Sequence, residues 1–235
     1  MPIQTSRTTS DIRHAFSQAL FNTDDTHLLD DIELIGVSFI ADEDTIFGAP
    51  NDDYVQRELQ WYDSMSLNVD DIPGDTPFIW REVSDKNGFI NSNYGFLMYS
   101  DENGAQYDNV LAKLLSHKDS RQAVAVYTRP TIHSEWNTDG RKDFICTNAV
   151  QYLIRDGRLY TVVQMRSNDA IFGYRNDFAW QDTVRRRLLA DLRLDGYPSL
   201  ELGGMIWQVG SLHIYPRHFH LVKQFTQTGN YRDAV

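Results

Sequence analysis

Cysteine is the scarcest functional residue in this chain: of 235 residues, only Cys146 carries a thiol. One cysteine excludes an internal disulfide framework and the Cys-rich zinc centres that need several thiolates. Long apolar runs are missing too, and no stretch approaches the roughly 18 residues that a membrane span requires. The opening segment MPIQTSRTTSDIRHAF lacks the apolar stretch of a secretory signal, so the expected location is the cytoplasm, with no membrane partner. Positive charge is also short. Asp and Glu number 33 against 22 for Lys and Arg, a formal net charge of −11. Such a surface repels polyphosphate backbones and argues against nucleic-acid partners. A small phosphorylated ligand is compatible with it, because a few arginines override the global sign at short range. Internal repeats, low-complexity tracts and Pro-, Gly- or Ser-rich linkers are absent as well, so residues 1–235 read as a single domain with one core.

What is present is periodic. Ile12, Phe16 and Leu20 fall on one face and predict a helix over 10–21, capped by Ser10 or Asp11. Asn51 or Asp52 opens a second helix carrying Tyr54, Val55, Glu58, Leu59 and Trp61, and a third runs from Gln106 to Leu115. The period then changes. QAVAVYT (122–128) is β-rich, and FICTNAVQYLI (144–154) and RLYTVVQM (158–165) flank Asp156-Gly157, a strong hairpin signal. A helix is expected after Asn176, with Trp180, Val184, Leu188 and Leu192 as its apolar stripe. MIWQVGSLHIY (205–215) reads as a buried strand and HFHLVKQF (218–225) as a closing helix. Helices gathered around a largely β centre predict an α+β fold.

Taken singly, the reactive side chains have bland readings. A lone thiol in a strand-like segment is usually an inert buried hydrophobe. Arg166 and Glu58 could be solvated charges, Trp80 and Tyr94 core aromatics, and Asp177 a cap for the helix expected near 176. A Cys/His hydrolase could be drawn from Cys146 with His213 or His218. Against it, the cysteine sits in a strand rather than at a helix N-terminus, and no oxyanion-hole motif accompanies it.

The motifs taken together are more informative. NDDYVQRELQWY, INSNYG, DSR, FICTNAVQYLIRDG, VVQMRSNDAIFGYRNDFAWQ and GSLHIYPRH follow one another in order. From Glu33 to His220 the chain resembles the thymidylate synthase superfamily, and within it most closely the deoxycytidylate hydroxymethylase branch of T-even-type phages. The resemblance implies a mixed sheet surrounded by helices and a homodimer whose sheets pack face to face. It also implies dCMP and 5,10-methylenetetrahydrofolate as co-substrates, no metal, and a place in a phage nucleotide-synthesis complex in the host cytoplasm.

It further assigns roles. Cys146 matches the nucleophile that adds to C6 of the pyrimidine, which breaks the ring conjugation and makes C5 an enamine-like carbon able to attack a methylene group. The attacking species is the thiolate, so a neighbouring cation is expected. Arg166 matches the arginine that serves both phosphate and nucleophile, and Ser167 and Asn168 follow it on the substrate side. Glu58 matches the carboxylate that organises water and proton transfer, and Tyr94 the tyrosine that helps remove the C5 proton. Trp80 and Asp169 match the folate side. His213 and Tyr215 match the pair that binds the sugar 3′-hydroxyl, and strand alternation puts both on one face. Asp177 stands where thymidylate synthases carry the asparagine that reads uracil. A carboxylate there accepts from the N4 amino group and a protonated N3 of cytosine through charge-assisted bonds.

The pattern also breaks in places. Arg121-Gln122 replaces a pair of arginines used by the partner subunit's phosphate site, Thr147 replaces a histidine after the nucleophile, and Thr26 and His27 stand near where a basic residue is expected. Asp233-Ala234-Val235 match the superfamily's mobile C-terminal flap. The alternatives of a dCMP methyltransferase or a CMP-specific enzyme of this fold remain open.

Overall fold

A computed structural model describes residue 5 and residues 7–23 and 30–232. Thr26, His27 and residues 233–235 lie outside the described residues. In chain order the elements are α1 (Thr9–Asn22), β1 (Ile32–Ile40), α2 (Asp52–Ser64), α3 (Phe78–Val83), α4 (Tyr94–Tyr99), α5 (Gln106–Ser116), β2 (Val124–Val126), α6 (Ile132–Glu135), β3 (Thr147–Arg155), β4 (Arg158–Asp169), α7 (Phe172–Asp195), β5 (Glu201–Ile214) and α8 (Phe219–Thr228). They gather into two compact units, Met1–Pro50 with Ile154–Val235, and Asn51–Leu153.

In the first unit β1, β5 and β4 lie side by side. β1 is antiparallel to β5, from Ile32 opposite Ile214 to Ile40 opposite Ile206. β4 runs parallel to β5, with Asp169 beside His213, so the set is mixed. Asp156 and Gly157 both have positive φ (49° and 73°), the mirror-image turn that Asp-Gly favours. Trp180, Val184, Leu188 and Leu192 are all buried along α7, as their spacing predicts. The ends of the helices differ from the sequence reading. Thr8, not Ser10 or Asp11, caps α1: its N–H and hydroxyl both donate to Asp11 Oδ2, at 2.7 and 2.9 Å. α7 begins at Phe172, not after Asn176: Asp169, ahead of the helix, accepts from the N–H groups of Ile171 (2.9 Å) and Phe172 (3.3 Å) and satisfies them, so the helix starts five residues earlier than expected.

Arg13 ties α1 to the loop after β1. Its guanidinium is buried, pairs with Glu43 at 2.7 Å, donates to the carbonyls of Thr45 and Ile46, and stacks 3.5 Å from the ring centre of Tyr231. A buried charge is tolerable only when its donors are matched in this way.

In the second unit β2 and β3 pair antiparallel, from Val124 opposite Gln151 to Val126 opposite Ala149. β2 is shorter than the β-rich run suggests, and β3 starts at Thr147, not Phe144. α2 and α4 pack closely through Gly95, where an added Cβ would fall 1.7 Å from the backbone oxygen of Tyr62. An aromatic column runs through the core. Trp80 meets Trp61 (5.1 Å between ring centres), Trp61 stacks on Tyr62 (5.3 Å), Tyr62 on Tyr94 (5.6 Å), and Tyr94 meets Tyr127 edge-on (5.2 Å). α3 and α4, both unread in the sequence, are six residues each, too short for an apolar period to declare itself.

Candidate active site

The second unit carries the reactive set. Cys146 does not lie inside a strand as expected: it is the last residue before β3, half-buried, with Sγ 3.7 Å from the carbonyl oxygen of Phe144. Ladder pairing holds the residues after it, so the thiol is presented from a fixed strand end. Two neighbours position this segment: Asp143, which the sequence reading passed over, and Thr147, which it noted only as a replacement for histidine. Asp143 is buried and accepts from the backbone N–H groups of Asn91 and Ser92, the latter at 2.9 Å, which ties the approach to Cys146 to the INSNYG segment. Burial pushes the Asp143 carboxyl up from its usual range, against those bonds. Thr147 is fully buried, and its hydroxyl donates to the Tyr94 phenol oxygen at 2.9 Å. Tyr94 opens α4, whose cap Asn93 accepts from Phe96 N–H at 2.8 Å and donates to the carbonyl of Ser66 at 2.8 Å.

Glu58 projects from α2 into the interior and is 4% exposed, so the solvated-charge reading fails. Its Oε1 accepts from the Tyr54 hydroxyl at 2.6 Å and from the Trp80 indole at 3.2 Å, and the same indole donates to Tyr54 at 2.8 Å. Glu58 and Trp80 are therefore brought together. In the DSR turn the Ser120 hydroxyl accepts from the N–H of Gln122 at 3.0 Å, and the Arg121 carbonyl accepts from Gln151 at 2.9 Å. Both Arg121 and Gln122 point their side chains to solvent.

The first unit carries the recognition set. β4 delivers Arg166, which is exposed, half-buried Ser167, buried Asn168 and half-buried Asp169. Trp207 donates its indole N–H to Asn168 Oδ1 at 3.2 Å, and Asn168 Nδ2 donates to Asp177 Oδ2 at 2.7 Å. The indole has no acceptor, so the direction of this chain, Trp207 to Asn168 to Asp177, is fixed by chemistry. Asp177 lies in the second turn of α7 and is not its cap, which removes the purely structural role the sequence allowed it. Gly173 keeps the group compact: an added Cβ would sit 3.1 Å from Asn168 Nδ2 and 3.3 Å from the Asp169 Cβ. At the end of β5, His213 and Tyr215 lie with ring centres 5.1 Å apart, on the shared face that alternation predicts. Arg217 stacks 4.4 Å over the Tyr215 ring.

The thymidylate synthase family model matches residues 52–233, and the chain belongs to that family. It is 51% identical over 231 residues to the deoxycytidylate 5-hydroxymethyltransferase of Enterobacteria phage T4, covering 97% of this chain and 94% of that protein. The enzyme of the same name from phage T2 matches at the same identity and coverage. Among solved structures, the thermostable thymidylate synthase A from Bacillus subtilis superposes with a TM-score of 0.70 at 21% identity, covering 97% of this chain and 87% of that one, which shows the α+β fold.

Proposed function

We propose that the protein transfers a one-carbon unit from 5,10-methylenetetrahydrofolate to C5 of dCMP and completes the reaction with water, giving 5-hydroxymethyl-dCMP. The observation that carries this is Asp177, a carboxylate held by Asn168 at the position where the family's uracil-specific members carry an amide. Each carboxylate oxygen has two lone pairs, so the bond from Asn168 leaves capacity for the N4 amino group and the protonated N3 of cytosine. The phage relatives, named as deoxycytidylate 5-hydroxymethyltransferases, support the same substrate and product.

In this reading Cys146 adds as thiolate to C6, and Arg166 supplies the cation that favours it. The C6 adduct places electron density on C5, which forms the new carbon–carbon bond. Glu58 and Tyr94 then handle the C5 proton, Tyr94 with its oxygen polarised by Thr147. With that proton gone, the carbon–nitrogen bond to the folate breaks and tetrahydrofolate leaves an exocyclic methylene on C5; water adds to it, and Cys146 leaves C6 as the ring conjugation returns. The folate supplies the carbon at the oxidation level of formaldehyde. The residues assigned to it fit its chemistry: Asp169 is a half-buried acceptor for the N–H donors of a pterin, and Trp80 is a half-buried aromatic. His213 and Tyr215 hold the sugar hydroxyl. We read the protein as a single catalytic domain that works as a homodimer in the host cytoplasm, with solvent-facing Arg121 reaching the partner's phosphate site. Among the described residues no helix is long and apolar enough to cross a membrane.

The deciding measurement is the mass of dCMP after incubation with 5,10-methylenetetrahydrofolate. Hydroxymethylation adds about 30 Da and methylation about 14 Da, since the species that adds to the exocyclic carbon fixes the product. A mass gain of about 14 Da would replace this reading with a methyltransferase. The same assay with CMP tests the sugar preference.

A further inference from the structure

Tyr54 has no role in the reading above, yet its hydroxyl lies 2.6 Å from Glu58 Oε1. It lies one helical turn before Glu58 on α2, where positions four apart face each other. Asn51 fixes that turn by accepting from the Tyr54 N–H at 3.1 Å. The hydroxyl receives the Trp80 indole N–H at 2.8 Å and gives its own proton to Glu58 Oε1 at 2.6 Å. Indole is donor-only and a phenol has one proton, so the order Trp80 to Tyr54 to Glu58 is the one that satisfies all three groups. Burial raises the Tyr54 phenol's pKa well above its usual range, and the charge of Glu58 adds to this, so the phenol stays a donor throughout the working pH range.

We propose that Tyr54 is a positioning residue for the one-carbon transfer: with Trp80 it clamps Oε1 of Glu58, fixing the carboxylate's rotamer and directing proton transfer to Oε2. Two donors converge on Oε1 in a buried site, which makes that oxygen the poorer base and the carboxylate plane rigid. The proposal rests on the reading of Glu58 as the proton-handling carboxylate.

The test is a double-mutant cycle of Tyr54→Phe, Glu58→Gln and the double variant, measuring kcat and KM for dCMP at saturating folate, with thermal midpoints alongside. Tyr54→Phe keeps the ring and removes only the O–H. Its kcat should fall about 10- to 100-fold, the range for one lost hydrogen bond to a charged group. KM for dCMP should stay within about threefold, because no ground-state contact to the nucleotide is touched. Added to Glu58→Gln, the Phe substitution should cost no further kcat, since its effect passes through the missing carboxylate. A merely structural tyrosine would lower both backgrounds equally, and that additive result overturns the proposal. So does a Tyr54→Phe variant with wild-type kcat while Glu58→Gln is impaired. If Glu58→Gln itself turns over normally, the Glu58 reading fails and the proposal falls with it. Should Tyr54→Phe not fold, 3-fluorotyrosine at position 54 carries the test. Its O–H is a stronger donor, so kcat must change with KM and thermal midpoint held, and an unchanged kcat overturns the proposal.

Discussion

Replacing Asp177 with Asn should shift the preference of the protein from dCMP toward dUMP, and the structure says which way the new amide must point. Trp207 can only donate, so it fixes Asn168 with Oδ1 toward the indole and Nδ2 toward position 177. An asparagine at 177 must therefore present its oxygen to Asn168 and its NH2 group in the place of Oδ1, because the flipped amide would set two NH2 groups against each other. The atom facing the base thus changes from an acceptor to a donor. With the carboxylate, O4 of uracil meets an anionic oxygen, a mismatch of about 1–3 kcal/mol. With the amide that repulsion becomes a hydrogen bond. Meanwhile the N4 amino group of dCMP, itself a donor, loses its charged acceptor and meets an NH2 group, a loss of at least about 1 kcal/mol. The two effects act in the same direction and together move the ratio of kcat/KM values by about 2–4 kcal/mol, or roughly 30- to 1000-fold. The assay is kcat/KM for both nucleotides at saturating folate. In an Asn168→Ala background the orientation is no longer imposed, and the switch should blur. A variant that keeps the wild-type ratio would falsify the assignment of base reading to Asp177.

Cys146→Ser should abolish product formation with the thermal midpoint preserved, because an alkoxide is far harder to form than a thiolate; appreciable turnover would rule out covalent catalysis here. Mixing inactive Arg121→Ala chains with inactive Cys146→Ala chains should restore activity, since one hybrid site then keeps both residues. Absence of recovery with subunit exchange confirmed by mass spectrometry counts against a phosphate site shared between subunits. Gly95→Ala should destabilise the fold by at least the ~1–3 kcal/mol of an overpacked core, because the 1.7 Å approach is to the backbone of Tyr62 rather than to a movable side chain. A denaturation midpoint equal to wild type would show that α2 and α4 separate easily.

Local pattern accounts for much of this protein. The four-residue stripe of α7 and the Asp-Gly turn both follow from periods and turn chemistry, which act over a few residues and are written in neighbouring positions. The order of the long motifs was enough to name the family and to single out Cys146, Tyr94 and Asp177. The sequence did not reveal what holds these groups. Asp169 takes up the N–H groups of Ile171 and Phe172 where α7 starts, a competition between a side chain and a propensity that only the folded backbone resolves. Asp143 reaches residues 51 and 52 positions away, and Thr147 bonds a tyrosine 53 positions away. Trp207 orients Asn168 across 39. A hydrogen bond needs about 3 Å and a narrow angle, and no property of either residue type announces a partner that distant in the chain. Even Tyr54, only four residues from Glu58, required α3 to bring in Trp80 before its hydroxyl had a direction. The sequence determined which chemical groups are present, and the tertiary structure decided their orientation through contacts that packing alone brings within bonding range.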